Sequence, residues 1–166
     1  MVASHYGCEP EEVTIIKQMS EIKCGKDYKE WLDLWSYIGK NRLKDAEAFD
    51  YVASVADLQS VADYYIIQLW RGNVDMDNVY VCKAGGKWFY ILYDLDLTLY
   101  REAEGTTDRQ LGTFNTGFYT FNALINRLLE NESFREMFCE RMSKIVSVVY
   151  SDENVLSYAN TLAGLS

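Results

Sequence analysis

Asp94 and Asp96 stand where a run of six apolar residues, 88–93, comes to an end. The run reads as a buried strand. A carboxylate on a buried strand costs several kcal/mol unless a cation or hydrogen-bond donors meet it. Spaced i, i+2, the two acids share a face if the strand continues through them. Two carboxylates so placed at a strand terminus suit a divalent metal and, through it, a phosphate. The plain alternative is a strand end with two solvated aspartates capping the next turn.

A second group of polar residues, Asn73-Val74-Asp75-Met76-Asp77-Asn78, lies upstream. It reads as a loop between a helix and a strand. The strand-like run 78–83, the Gly85-Gly86 pair and the run 87–93 together predict a β-hairpin. Hairpin strands are antiparallel, so the loop before the first strand and the exit of the second meet at one end. Asp75, Asp77 and Asn78 are therefore expected beside Asp94 and Asp96. A turn that uses Asn and Asp for local backbone bonds is the simpler reading of the first group.

The elements around this hairpin are mostly helical. A helix is expected over 10–22, with Pro10 in its first turn. Asp27 reads as the N-cap of another, in which Trp31, Leu34, Trp35 and Ile38 fall at i, i+3, i+4, i+7 and Gly39 is the stop. Those tryptophans are expected in the core rather than on a ligand platform. A short helix is expected over 45–53. Another follows Asp57, with Leu58, Val61, Ala62, Tyr65 and Leu69 on one face and Gly72 at its end. Residues 101–118 read as a long loop. Two apolar stripes follow, Phe121, Leu124, Ile125, Leu128, Leu129 and then Phe134, Met137, Phe138, Met142, Ile145, Val149, with Ser151 as the cap of a last helix.

Composition narrows the functional classes. The chain has 166 residues, 49% of them hydrophobic, and a single proline, which suits one folded domain or lobe. A formal net charge of -9 disfavours nucleic acid and anionic lipid as partners and favours a cation or a basic substrate. No apolar run is long enough to cross a membrane. Cys8, Cys24, Cys82 and Cys139 show no zinc-like spacing and are expected as free, mostly buried thiols. With His5 the sole histidine, a His-based triad or metal site is close to excluded.

Protein-kinase-type phosphoryl transfer needs an Asp to accept the hydroxyl proton, an Asn for one Mg²⁺ and an Asp for the bridging Mg²⁺, in that order around a short hairpin. Here the order is Asp75, Asn78, then Asp94 or Asp96.

These residues resemble the spore coat protein H (CotH) kinase family. The matching pieces are Asp63-Tyr64-Tyr65-Ile66-Ile67, Asn73-Val74-Asp75, Asn78-Val79-Tyr80-Val81, Lys87-Trp88 and Tyr93-Asp94-Leu95-Asp96. Asn126-Arg127-Leu128-Leu129, Asn131, Phe134-Arg135 and Phe138 look like the family's C-terminal helices. The resemblance covers roughly residues 20–160. It implies an α+β, mostly helical, atypical protein-kinase-like C-terminal lobe with one β-hairpin carrying the active-site acids. It implies Asp75 as the catalytic Asp, and Asp94, with Asp96 and Asn78, as holders of Mg²⁺ or Mn²⁺ with ATP. A protein substrate and an exported, cell-surface or spore-coat bacterial protein are also implied. Two departures are Tyr93, where the family usually has Trp, and Leu97-Thr98-Leu99-Tyr100, where it often has Gly. The chain shows no GxGxxG loop. Residues 1–26 are expected as the remnant of a nucleotide-binding lobe, with 27–166 the C-terminal lobe of a larger protein, inactive alone.

Two other classes remain at this point. Residues 91–98 also resemble the apolar strand and Asp-x-Asp-x-Thr of haloacid-dehalogenase-type phosphatases, with Asp94 as nucleophile and Asp96 as general acid/base. That fold needs further parallel strands. A non-catalytic binding or scaffold module is the other class.

Overall fold

Val13-Thr14-Ile15-Ile16 is a β-branched run, and it forms a strand where a helix over 10–22 was expected. Branched side chains lose rotamer freedom in a helix and pack well on a pleated surface. In the computed structural model, which describes residues 2–17, 21–25, 28–73, 78–96, 98 and 123–164, only Pro10–Glu12 makes a helical turn there, of the 3-10 kind. Strand β1 (Thr14–Lys17) and strand β2 (Glu21–Cys24) form an antiparallel hairpin. Strands β3 (Tyr80–Ala84) and β4 (Lys87–Ile91) form the expected one. Strand β1 also pairs with β3, giving one antiparallel sheet of order β2-β1-β3-β4. The single hairpin of the sequence reading is thus half of a four-stranded sheet.

Alternation along the strands gives the sheet two covered faces. Ile16, Val81 and Tyr90 occupy one cross-strand row and belong to the main core. Ile15, Cys82 and Phe89 occupy the next row, on the opposite face. There a small cluster of Val13, Cys82, Ala84 and Phe89 lies under the short helix α1 (Val2–Tyr6), whose Tyr6 ring stacks on Phe89 at 4.5 Å. Gly85 and Gly86 turn the hairpin with φ of 57° and 79°. Positive φ at two successive positions is what tight two-residue hairpin turns require. A side chain on Gly85 would also meet the Tyr6 carbonyl at 3.3 Å.

All four cysteines are free, but only Cys82 is buried; Cys24 and Cys139 are exposed and Cys8 is intermediate. The expectation of mostly buried thiols therefore holds for one of them. Burial pushes the Cys82 thiol up to about 12. At pH 8 its thiolate fraction is then on the order of one part in 10⁴, and the thiolate is the reactive form. Maleimide at pH 8 is expected to label Cys24 and Cys139 quickly, Cys8 more slowly, and Cys82 only in denaturant. Mass spectrometry of the labelled peptides checks this order.

Helix α2 (Lys29–Lys40) buries Trp31, Leu34 and Ile38, as the i, i+3, i+7 spacing predicts. Trp35 is only partly buried. The expected cap Asp27 lies outside the described residues, and Tyr28 stands at the N-cap without a side-chain bond. The helix passes through Gly39 and ends at Asn41, whose side-chain amide donates to the Tyr37 carbonyl at 2.9 Å. Helix α3 (Ala46–Val55) follows. Helix α4 (Leu58–Trp70) is capped by Asp57, which accepts from the Ser60 N–H at 3.1 Å. It buries Val61, Ala62, Tyr64, Tyr65 and Ile66, and so backs β4 with two tyrosine rings.

The C-terminal stripes behave as expected in their first halves. Helix α5 (Ala123–Leu128) buries Leu124, Ile125 and Leu128, while Phe121 lies outside the described residues. Helix α6 (Glu132–Lys144) buries Phe134 and Phe138. Its cap Asn131 accepts from the Phe134 N–H at 3.3 Å and donates to the Leu43 carbonyl at 3.1 Å, tying α6 to the loop before α3. Residues Ile145–Val149 then widen into a π turn, and Val149 is exposed. Ser151 caps helix α7 (Asp152–Ala163), which buries none of its residues. Among the described residues no helix is long and apolar enough to cross a membrane.

Candidate functional site

The last hydrogen-bonded pair of the β3–β4 hairpin is Tyr80 and Ile91. Asn78 lies two residues before it and Asp94 three residues after. The antiparallel register brings their side chains together, and the Asn78 amide Nδ2 donates to Asp94 Oδ2 at 2.7 Å. The meeting of the entry and exit of the hairpin, expected from chain pattern, is observed for this pair. Asp75 and Asp77 lie outside the described residues, as does the loop expected over 101–118.

The route by which Asp94 reaches this position differs from the expected one. Strand β4 stops at Ile91, and Leu92 and Tyr93 are exposed. Asp94 takes φ of 52°, the left-handed region. For a residue other than glycine this costs about 1–2 kcal/mol, least for Asn and Asp, whose short polar side chains bond locally. Asp94 and Asp96 therefore do not share a strand face. Both are exposed to solvent. Hydrogen bonds fix the loop. Thr98 Oγ1 donates to the Leu95 carbonyl at 2.7 Å, closing the turn that carries Asp96. Arg71, at the C-terminal end of α4, donates from Nε to Thr98 Oγ1 at 3.2 Å.

The same end of α4 launches the segment that holds Asp75. Gly72 takes φ of 60° and reverses the chain. Asn73 then folds back on the helix. Its backbone N–H donates to the Gln68 carbonyl at 3.1 Å and its Nδ2 to Gln68 Oε1 at 2.6 Å. Both side chains are 2% exposed, and they are the buried polar residues of the described chain. A buried amide pair of this kind is costly to disrupt, because the surviving partner keeps its desolvation penalty. Further along α4, Asp63 accepts two bonds from Arg141, with Nε at 2.7 Å, and this fork holds α4 against α6. Gln68 and Arg71 escaped the sequence reading, and Thr98 entered it only through the Asp-x-Asp-x-Thr resemblance. A glutamine among apolar helix positions and an arginine beside Gly72 were the signals available.

The donor set limits what could bind at Asn78 and Asp94. Among the described residues no group of three or more His, Cys, Asp or Glu is gathered as a metal cage. Mg²⁺ seldom uses such a cage; it takes one or two carboxylates and completes its octahedron with phosphate and water. One amide and two exposed carboxylates, Asp94 and Asp96, fit that demand and suit an ion that arrives with a phosphate. A separate groove of about 250 Å³, lined by Glu30, Asp33, Tyr51, Lys83, Gly86 and Trp88 among others, lies toward the turn of the hairpin and away from these acids.

The sheet also bears on the phosphatase alternative. That fold carries its first Asp on a parallel sheet, whereas β4 ends an antiparallel one. Comparison with curated proteins and with solved structures found no match. A sequence model of the family described as CotH kinase protein matches residues 10–165, nearly the whole chain, and the chain therefore belongs to the CotH kinase family.

Proposed function

We propose that this chain forms the metal-binding and catalytic part of an atypical protein kinase, which moves the γ-phosphate of ATP to a Ser or Thr hydroxyl of a protein. The observation that carries the reading is the 2.7 Å bond between Asn78 and Asp94 across the mouth of the hairpin. Family membership supports it, and so does the order Asp75, Asn78, Asp94 along the chain.

In this reading Asn78 and Asp94, with Asp96, hold Mg²⁺ or Mn²⁺. The ion, when bound with ATP, neutralises charge on the β- and γ-phosphates. Asp75 accepts the proton of the acceptor hydroxyl. The acceptor oxygen bonds to the γ-phosphorus, the bond from that phosphorus to the β–γ bridging oxygen breaks, and ADP leaves with the electron pair. The left-handed turn at Asp94 and the Arg71–Thr98 bond keep the carboxylates from swinging away as charge redistributes, which is the positional work such a reaction demands.

Incubation of the longest natural chain carrying this sequence with γ-labelled ATP and Mg²⁺ tests the reading. Label is expected on Ser or Thr of a protein, and Asp75→Ala is expected to remove it while metal-dependent nucleotide binding survives. A scaffold would show neither transfer nor metal-dependent nucleotide binding. A phosphatase would hydrolyse phosphoesters, and Asp75→Ala would leave that activity intact.

A further inference from the structure

Arg71 is half-buried at the C-cap of α4 and hydrogen-bonds to a neutral side chain. The chain carries 25 Asp and Glu against 16 Lys and Arg, so an arginine has acids in excess to choose from. Arg42 and Arg127 both pair with Glu130, and Arg141 pairs with Asp63. Arg135 donates to the Leu129 and Glu130 carbonyls, and Arg71 spends its Nε on a neutral side-chain hydroxyl, that of Thr98. No described residue accepts a bond from its two terminal nitrogens, and it makes no ion pair with Asp94 or Asp96, although it bonds to the very turn that Asp96 occupies.

The anchoring bond matters for what the rest of the side chain can do. An arginine held at Nε loses most of its rotamer freedom and presents its remaining donors as a fixed fork. A planar fork with no carboxylate partner is matched to a phosphate, which it can grip through two parallel bonds. Thr98 Oγ1 accepts from Arg71 and donates to the Leu95 carbonyl, so the guanidinium and the turn of Asp94 and Asp96 move as one piece. Any phosphate brought to those acids through a cation arrives within reach of the same turn.

We infer that Arg71 is a phosphate-binding residue of this site, taking the terminal phosphate of the nucleoside triphosphate through its two terminal nitrogens, which bond to no described residue, while Thr98 fixes its direction. The inference rests on the kinase reading above. It assigns the cationic partner of the transferred group to the C-terminal end of α4, a place the chain pattern did not mark. As the γ-phosphoryl group separates from ADP, its charge spreads over three equatorial oxygens, and an arginine there stabilises it more than it stabilises the ground state.

The test compares wild type with Arg71→Ala, Arg71→Lys and Thr98→Val in the longest natural chain carrying this sequence. Transfer from γ-labelled ATP and the Mg²⁺-dependent binding of ATP and of ADP are measured for each. Arg71→Ala is expected to lower kcat by ~10³-fold. It is expected to weaken ATP binding by ~10-fold while leaving ADP within about 2-fold, because ADP lacks the phosphate that the fork grips. Arg71→Lys keeps the charge without the fork or the Nε bond, and Thr98→Val keeps the fork without its anchor; both are expected to fall between. A residue that only braced the turn would change ATP and ADP binding together, so equal losses, or wild-type transfer in Arg71→Ala, would overturn the inference and leave the kinase reading in place. Should Arg71→Ala fail to fold, the ATP-to-ADP ratio in Arg71→Lys and Thr98→Val decides in the same way. Absence of metal-dependent ATP binding in wild type would overturn both.

Discussion

Replacing Asp94 by asparagine is expected to lower phosphate transfer by on the order of 10³-fold, the scale seen when one preorganised electrostatic group is removed from a transition state. The chain should remain folded. Asp94 is exposed, and asparagine keeps a side-chain oxygen that can accept from Asn78 Nδ2. Asparagine tolerates the left-handed region at least as well as aspartate does, so φ of 52° is retained at little cost. Alanine at the same position would confound the result, adding about 1–2 kcal/mol of backbone strain to the loss of the carboxylate. The asparagine variant thus separates charge from geometry. Asp96 is exposed on the neighbouring turn, and comparison of Asp96→Asn with Asp94→Asn identifies which carboxylate bears the ion. Steady-state transfer rates with matched thermal unfolding curves give both answers.

The largest expected loss of stability comes from Trp31. Trp31→Ala should destabilise the fold by about 3–5 kcal/mol, the range for removing a large aromatic from a core. That is a large share of the ~5–15 kcal/mol that holds a typical domain together. Trp31 is 1% exposed, and its ring lies 5.1 Å from Trp88, 5.6 Å from Trp35 and 6.3 Å from Tyr90. Two of those neighbours belong to β4, so this one side chain joins α2 to the strand whose exit carries Asp94. The cavity left by alanine opens behind that strand. Urea unfolding is the measurement, with a fall in midpoint at unchanged slope marking lost stability rather than altered compactness.

The parts of the fold that sequence made legible are those set by local chemistry. Two glycines in a row between alternating apolar runs specify the β3–β4 turn, and the antiparallel rule then carries Asn78 to Asp94 across sixteen positions of chain. Asp57 and Ser151 cap helices because a short polar side chain there meets a free N–H. Strand β1 was misread because one of its two partners, β3, is remote in sequence; Lys17 pairs with Tyr80. Over 10–22 the apolar residues satisfy a helical period as well as an alternating one, and only pairing decides between them. Gly39 looked like a stop, yet the helix continues through it because a glycine in helical φ costs only about 1 kcal/mol against alanine.

In the site, residue types were readable but conformations were not. Nothing local announces that the strand ends at Ile91 or that Asp94 turns left-handed. The Gln68–Asn73 clasp and the Arg71–Thr98 bond are pairings that no local pattern announces. They acquire meaning only where α4 ends beside the mouth of the hairpin. The sequence therefore pointed to the acids, and the structure supplied the parts that hold them in place.

In the proposed reading, the Asn78–Asp94 end of the hairpin binds a divalent cation together with a nucleotide. Titration of Mn²⁺ into the protein with and without ATP, with free Mn²⁺ followed by electron paramagnetic resonance, tests it most directly. ATP is expected to tighten Mn²⁺ binding in wild type, and Asp94→Asn is expected to lose that gain. Equal Mn²⁺–ATP binding in wild type and Asp94→Asn would show that this end of the hairpin does not hold the ion.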